Sequence, residues 1–103
     1  MAEVKPPSVR SVKAALRKAE LPEAATQGAG RDARVVRSGW HVWTLGSEVR
    51  VNHWGVLALS RPAEQAELAR YAPVLAAAGW EVVEDQRGGF LAVLAVRGEN
   101  DGG

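Results

Sequence analysis

Two stretches of the chain carry apolar residues at helical spacing, three or four positions apart. In residues 8–20 the apolar positions are Val9, Val12, Leu16 and Ala19. A basic stripe runs beside them: Arg10, Lys13 and Arg17. Ser8 is a suitable N-cap after two prolines, and Pro22 ends the helix soon after Leu21. The pattern therefore predicts an amphipathic helix with a basic flank over residues 8 to about 20.

The second helical pattern begins after Ser60, an N-cap that is followed by Pro62 in the first turn. Its apolar positions are Leu68, Tyr71, Ala72, Leu75 and Ala76. Pro73 falls inside this pattern and removes a helical hydrogen bond at a cost of about 3 kcal/mol, so we expect a kink or two abutting helical pieces. Gly79 is placed to end the helix in the left-handed conformation, with Trp80 packing back against it.

Between the helices, residues 40–54 form two strand-like segments on either side of Gly46 and Ser47. A two-residue turn that begins with glycine favours a hairpin with a type II′ turn. The predicted pairs are Trp40 with His53, His41 with Asn52, Val42 with Val51, Trp43 with Arg50, Thr44 with Val49 and Leu45 with Glu48. Side chains alternate across a strand, so two faces result. The first is predicted to be core: Trp40, Val42, Thr44, Val49, Val51 and His53. The second suits recognition as well as covering a core: His41, Trp43, Leu45, Glu48, Arg50, Asn52 and Trp54.

Shorter patterns complete the predicted fold. Residues 22–32 are predicted as a loop and residues 34–37 as a short strand, while residues 56–59 either continue the hairpin past a bulge or form their own strand. Residues 80–84 and 90–97 predict a second hairpin, whose last strand is apolar on both faces, as in a central strand or an edge covered by a partner chain. The class is therefore α+β in the order αββαββ, with an antiparallel four- or five-stranded sheet and both helices on one face.

The chain of 103 residues suffices for one domain with a modest core, predicted over residues 8–97. Residues 1–7 and 98–103 have the proline, glycine and charge typical of disordered ends. Without cysteine there are no disulfides and no cysteine-ligated metal site, and a cytoplasmic location is the simplest fit. The first residues lack an apolar signal segment and no apolar run reaches about 18 residues, so we expect neither export nor a membrane partner.

Charge is nearly balanced at +1, which excludes a whole-molecule field able to hold nucleic acid. Its distribution is uneven, because residues 1–37 carry eight Lys or Arg against four Asp or Glu, and residues 38–103 carry five against eight. His41 and His53 are predicted on opposite faces of the sheet, which disfavours a metal site. The serines lack a nucleophile elbow and the glycines lack a phosphate-loop pattern. We therefore expect no metal and no cofactor.

The second face of the hairpin favours binding of RNA or single-stranded DNA. Aromatic side chains on a sheet stack bases at about 1–3 kcal/mol each, and basic groups beside them contact phosphates. The predicted platform is His41, Trp43, Arg50, Asn52 and Trp54, and its predicted electrostatic part is Arg10, Lys13, Arg17, Arg34 and Arg37. Plainer interpretations stay open, since Trp43 over Arg50 also suits a structural cation–π pair and a basic helix flank is commonly just solvated. A protein partner, or a homodimer through the last strand, is a further alternative.

A helix is followed by Arg37-Ser38-Gly39-Trp40-His41-Val42-Trp43, then by Gly46-Ser47-Glu48-Val49-Arg50-Val51, and then by a helix that closes at Ala78-Gly79. This arrangement resembles the HicA-type mRNA interferase toxins. The resemblance implies a small double-stranded-RNA-binding-like fold. It also implies a ribonuclease role for His41, because a strand histidine that follows Gly-Ser is catalytic in that family. In this chain the order is Ser-Gly-Trp-His, and a further hairpin follows the second helix.

A second combination spans most of the domain: Trp40-x-Val42, Val49-x-Val51 and Leu68-x-x-Tyr71-x-x-x-Leu75-x-x-Ala78-Gly79-Trp80-x-Val82. It is similar to small uncharacterised proteins of actinobacterial genomes and their phages, which implies a phage or mobile-element context without a function. The sequence thus predicts a small non-enzymatic accessory domain that binds single-stranded nucleic acid or a protein partner. The alternatives are a HicA-like ribonuclease that uses His41 and a homo-oligomeric interaction protein.

Overall fold

The computed structural model describes residues 6–57, 59–85 and 87–95. Its elements are helix α1 (Val9–Lys18), strands β1 (Ala25–Gln27), β2 (Arg34–Arg37), β3 (Gly39–Leu45) and β4 (Glu48–Trp54), helix α2 (Arg61–Ala77), and strands β5 (Glu81–Asp85) and β6 (Phe90–Leu94). The α+β class is confirmed. The predicted order αββαββ is wrong, since the observed order is αββββαββ. The two additional strands are β2, over the residues 34–37 predicted as a short strand, and β1, which forms from part of the predicted loop over residues 22–32 and pairs with β2.

The first hairpin has the predicted register, and its pairs run from Gly39 opposite Trp54 to Leu45 opposite Glu48. Gly46 has a φ of +62°, and Ser47 does not share this left-handed conformation. This combination is the one that a type II′ turn requires, with glycine at its first central position. A two-residue turn therefore fixes which side chains share a face across the whole hairpin.

Four strands form one antiparallel sheet in the order β3-β4-β6-β5. Strand β6 lies between β4 and β5, so it is buried on both faces, with Leu91 and Val93 on one side and Ala92 on the other. The prediction of a central last strand is confirmed. A homodimer through the edge of this strand is wrong, because both of its edges are already paired within the chain.

Both helices begin at their predicted serine caps. The Ser8 hydroxyl accepts the backbone N–H of Ser11 at 3.1 Å, and the Ser11 hydroxyl accepts the N–H of Ser8 at 2.8 Å. This reciprocal pair satisfies donors that the first turn of α1 leaves free. At the start of α2, the Ser60 hydroxyl accepts the backbone N–H of Ala63 at 3.3 Å, without a returning bond because residue 63 is alanine.

Helix α2 continues through Pro73 as one element, so the expectation of two helical pieces is wrong. The buried side chains of Tyr71 and Leu75 flank the proline, and packing of this apolar face holds the helix together across the missing hydrogen bond. The helix ends as predicted in a Schellman motif. Gly79 has a φ of +104°, and the N–H of Trp80 reaches the carbonyl oxygen of Leu75 at 3.4 Å.

The core lies between the two helices and one face of the sheet. Its members are Val12, Leu16, Trp40, Val42, Val49, Val51, Leu68, Tyr71, Leu75, Trp80, Leu91 and Val93. Three residues predicted on buried positions are exposed instead: Ala19, Thr44 and Ala76. Ala19 is the C-cap of α1, Thr44 lies close to the hairpin turn, and Ala76 lies at the margin of the buried stripe of α2. Because the core contains side chains of both helices and of one sheet face, both helices cover that face, as predicted.

Strands β1 and β2 form a separate two-stranded sheet that is held beside β3. The N–H of Trp40 donates to the carbonyl oxygen of Pro22 at 3.0 Å, and the N–H of Ala24 donates to the carbonyl oxygen of Trp40 at 2.9 Å. A Cβ on Gly39 would overlap the Pro22 oxygen and would lie 2.6 Å from the carbonyl carbon of Glu23. Glycine at position 39 therefore permits the close approach that places the β1–β2 hairpin at this edge.

The segment after β4 differs from both expectations, since Val56, Leu57 and Leu59 neither extend β4 nor form a strand. Residue 58 lies outside the described residues. So do residues 1–5 and 96–103, which contain most of the predicted disordered ends and the final positions of the predicted last strand. Within the described ranges, neither helix has the length and apolar character needed to cross a lipid bilayer.

Candidate nucleic-acid interface

The sheet face opposite the helices carries all five residues of the predicted platform, and we call it the free face. They are His41, Trp43, Arg50, Asn52 and Trp54. Each is half-buried, and the alternate positions of the same strands form the core under α1 and α2. The predicted side-chain parity of the hairpin is therefore confirmed.

The half of the free face nearer the hairpin turn is a cluster of mutually paired side chains, which we call the Trp43 patch. A groove of about 460 Å³ opens beside it, and its lining includes Arg50, Asp85, Arg87 and Phe90. The Arg50 guanidinium lies 5.2 Å from the ring centroid of Trp43 and 4.2 Å from that of Phe90. Arg50 Nε also donates to Glu48 Oε1 at 2.6 Å, and the Trp43 indole N–H donates to Asn52 Oδ1 at 3.1 Å. The cross-strand cation–π pair is thus confirmed, and its cation is already neutralised inside the cluster.

The other half of the free face is a stack of two rings at the far end of the hairpin. The ring centroids of His41 and Trp54 are 3.5 Å apart and their planes differ by 17°. Burial, and then the positive charge of Lys13, lowers the pKa of His41 below its ordinary value of 6.5, against a smaller opposing effect of Glu23. The imidazole is therefore neutral at pH 7, and the two rings form a flat aromatic surface without formal charge.

A groove of about 360 Å³ opens beside this stack. It lies between the end of β4 and the β1–β2 hairpin, and its lining includes Thr26, Arg34, Val35, His53, Trp54 and Gly55. The exposed Arg34 brings a guanidinium to the groove, opposite the strand that carries the indole. We call the ring stack together with this groove the Trp54 end.

The predicted basic residues do not form one electrostatic surface. Three of them lie on α1, which packs on the helix side of the sheet: Arg10, Lys13 and Arg17. Arg17 forms an ion pair with Glu23 at 3.1 Å, and Arg37 Nε donates to the carbonyl oxygen of Glu23 at 2.9 Å. Arg34 is the member of the predicted set that lines the groove. The predicted electrostatic part of the platform is therefore divided between the two sides of the sheet, and its role in binding stays a prediction.

Sequence reasoning missed the roles of Phe90, His53 and Tyr71. Phe90 reaches the Trp43 patch because β6 pairs with β4, and no local turn signal specifies that pairing. His53 lies on the core face, as its register predicts, and its Nδ1 is 3.0 Å from the Tyr71 hydroxyl; the pattern gave no indication that it also lines the groove. A usable signal was present, since helical spacing placed Tyr71 on a buried stripe, where a hydroxyl needs a hydrogen-bond partner.

The HicA-type resemblance stays a prediction. His41 lies on a strand, as that resemblance requires, and its neutral imidazole is able to accept a proton. Comparison of the chain with protein-family models, with curated proteins and with solved structures finds no match. The function is therefore inferred from the geometry of the free face and its groove.

Proposed function

We propose that this protein is a non-enzymatic binding domain for single-stranded nucleic acid, with the strand bound at the Trp54 end. The observation that carries the proposal is the stack of His41 on Trp54, 3.5 Å between centroids, beside a groove that Arg34 lines. Every base has an aromatic face, so stacking on protein rings accepts any sequence. A guanidinium in the same groove is the preferred partner for a phosphate.

Charge favours the Trp54 end over the Trp43 patch. The β2 strand and the turn before it carry three arginines, Arg31, Arg34 and Arg37, against one carboxylate, Asp32. The outer strand β5 beside the Trp43 patch is acidic: Glu81, Glu84 and Asp85. In addition, Arg50 is paired with Glu48, and the groove beside this patch is lined by three carboxylates, Glu48, Glu84 and Asp85, against two arginines, Arg50 and Arg87. A phosphate backbone is therefore attracted at one end of the free face and repelled at the other.

Fluorescence anisotropy with a fluorescein-labelled oligothymidine tests this proposal. We expect Trp54→Ala to weaken binding about 5- to 150-fold, because one base stack contributes about 1–3 kcal/mol. Arg34→Ala is expected to weaken binding less and to reduce its salt dependence by about one phosphate contact. Arg10→Ala is the matched control, since it removes the same charge from the helix side of the sheet and should leave the affinity and its salt dependence unchanged.

Thermal unfolding of each variant establishes that the chain is folded before its affinity is compared. Equal binding by the wild type and Trp54→Ala, or equal losses in Arg34→Ala and Arg10→Ala, would contradict the proposed site. If the wild type binds no oligonucleotide even at low salt, association with a protein or with a second copy of the chain becomes the better hypothesis. Light scattering of the purified chain measures self-association directly.

The ribonuclease alternative predicts a different result for His41→Ala. An enzyme that uses His41 would cleave labelled RNA and would lose cleavage in this variant, as a denaturing gel shows. A binding domain leaves the RNA intact in both forms, and His41→Ala weakens affinity because it removes one ring of the stack. The observation behind this alternative is the position of His41 on strand β3, where burial lowers the pKa of its imidazole.

A further inference from the structure

His53 is a buried polar side chain in the wall of the groove. Its side chain is 8% exposed, and its Nδ1 is engaged at 3.0 Å by the Tyr71 hydroxyl on the core side. The other ring nitrogen, Nε2, lies toward Gly55, where a Cβ would be 3.6 Å from it. The same Cβ would lie 2.6 Å from the carbonyl oxygen of Leu57, so residue 55 has to be glycine for the chain to pass this close to the imidazole. His53 and Gly55 both line the groove, which places the Nε2 side of the ring at its wall.

We infer that the groove is a subsite for a single nucleotide, in which the Trp54 indole forms the aromatic wall, His53 Nε2 bonds to the edge of the base, and Arg34 binds the phosphate. This inference rests on the proposed function and names its ligand chemistry: one planar nitrogen heterocycle that carries a phosphate. The aromatic stack alone binds any base face, whereas a hydrogen bond to the base edge adds a preference among bases.

The imidazole of His53 is oriented before a ligand arrives. Burial, and then the negative charge of Glu67, raises the pKa of Tyr71, so the phenol keeps its proton at neutral pH. An imidazole has two ring nitrogens, and with Nδ1 bound to Tyr71 the nitrogen left for a ligand is Nε2. Glu67 lies 4.0 Å from Nδ1 and is itself held by Arg70 at 3.2 Å. Such preorganisation reduces the entropic cost of binding.

The volume and charge of the groove fit one nucleotide. Its volume of about 360 Å³ is near the lower end of the roughly 300–1,000 Å³ that small-molecule sites occupy. Val35 and Trp54 provide apolar surface for the two faces of a base, and His53 and Arg34 provide the polar contacts. A purely apolar ligand would leave the guanidinium and Nε2 without new partners, whereas a nucleotide uses both groups.

Imidazole nitrogen signals in two-dimensional ¹H–¹⁵N spectra of the full chain test the subsite. The probes are adenosine monophosphate, uridine monophosphate and the oligothymidine used above. We expect the Nε2 signal of His53 to shift on binding. His53→Leu should weaken the affinity about 3- to 10-fold, the loss typical of one hydrogen bond. Tyr71→Phe keeps Nε2 but releases the ring, and should cause a smaller loss together with a changed Nδ1 signal.

The outcomes separate this inference from the proposed function. A shift of Nε2 with a free nucleotide shows that the subsite accepts nucleotides in solution, and a shift with the oligothymidine alone shows that it takes a base of a strand; both results support the subsite. Oligothymidine binding that depends on Trp54 but leaves Nε2 unmoved, with His53→Leu equal to the wild type, overturns the subsite and leaves the proposed function standing. Failure of every probe to bind overturns both.

Discussion

The two halves of the free face are built from the same kinds of residue but use them differently. In the Trp43 patch, Arg50 lies between Trp43 and Phe90 and pairs with Glu48, so rings and charges saturate one another. Grooves open beside both halves, but the arginine that lines the groove of the Trp54 end is Arg34, which extends from the neighbouring β1–β2 hairpin and not from the ring stack itself. The first arrangement stabilises the sheet, whereas the second leaves groups for a ligand. Tryptophan and arginine on one strand face therefore do not by themselves indicate a binding site, because the Trp43 patch pairs these groups with one another.

The halves also differ in what holds them together. The Trp43 patch depends on the hairpin register and on the pairing of β4 with β6. The groove of the Trp54 end depends instead on the β1–β2 hairpin, which reaches the sheet through the hydrogen bonds between Trp40 and the segment of residues 22–24. The Trp43 patch is thus held by the main sheet. The groove is held by the backbone contacts of residues 22–24 with Gly39 and Trp40.

Gly39→Ala, which acts on the support of the Trp54 end, should produce the largest effect. The new Cβ would overlap the backbone of Pro22 and Glu23, so the β1–β2 hairpin must move away from β3. Overpacking of this kind costs about 1–3 kcal/mol, and we expect the upper end because backbone atoms cannot rotate aside. Urea unfolding should show the loss of stability, and anisotropy should show the loss of oligothymidine binding in the same variant.

Thr44→Ala serves as the control for this experiment, because it changes an exposed residue on the same strand without a new contact. Its stability and binding should stay close to those of the wild type. If Gly39→Ala lowers stability but binds the oligothymidine normally, the β1–β2 hairpin contributes nothing to the site, and the contrast between the two halves disappears.

Local signals predicted the parts of the fold that depend on short-range geometry. The turn at Gly46 and Ser47 set every pair of the first hairpin, and the caps at Ser8 and Ser60 set the starts of both helices. Strand β1 was missed because Ala-Thr-Gln shows no apolar alternation, and the strand exists because the preceding segment docks on Gly39. Tertiary contact created this element where local propensity did not favour it.

The sequence predicts which hairpin residues lie on the free face, but not how this face divides into the Trp43 patch and the Trp54 end. Parity placed His41, Trp43 and Trp54 on one face from the sequence alone. The surroundings of these rings depend on two residues from other parts of the chain. Phe90 contacts the Trp43 patch because β6 pairs with β4, and Arg34 lies near Trp54 because of the position of the β1–β2 hairpin. Contacts between residues far apart in the sequence are set by the whole packing arrangement, so no local pattern specified them.

Trp43→Ala should produce an intermediate effect that separates the halves. It removes the cation–π contact with Arg50, the edge contact with Phe90 and the hydrogen bond to Asn52. We expect the free energy of unfolding to fall by about 1–2 kcal/mol while oligothymidine affinity changes little. Trp43→Phe, which keeps a ring over Arg50, should recover part of the stability. A loss of affinity as large as that of Trp54→Ala would instead show that the whole free face acts as one platform.

The smallest expected effect is a difference in pH dependence. The ring stack of the Trp54 end contains a titratable group, whereas the cation of the Trp43 patch is an arginine that keeps its charge. Because the pKa of His41 is lowered in the folded chain, the unfolded chain takes up a proton more readily below the ordinary value of 6.5. The contribution of His41 to stability is therefore complete above that pH and is lost as the pH falls through the lowered pKa.

Urea unfolding of the wild type and of His41→Phe between about pH 7.5 and pH 5 measures this difference. Phenylalanine keeps a ring on Trp54 but does not titrate, so the wild type should lose stability relative to the variant as the pH falls. Trp43→Phe is the control, and its pH profile should run parallel to that of the wild type. If the wild type instead gains stability relative to His41→Phe at acid pH, the imidazolium is stabilised over the indole by a cation–π contact. The Trp54 end would then resemble the Trp43 patch, with its aromatic face already occupied by a cation of the protein.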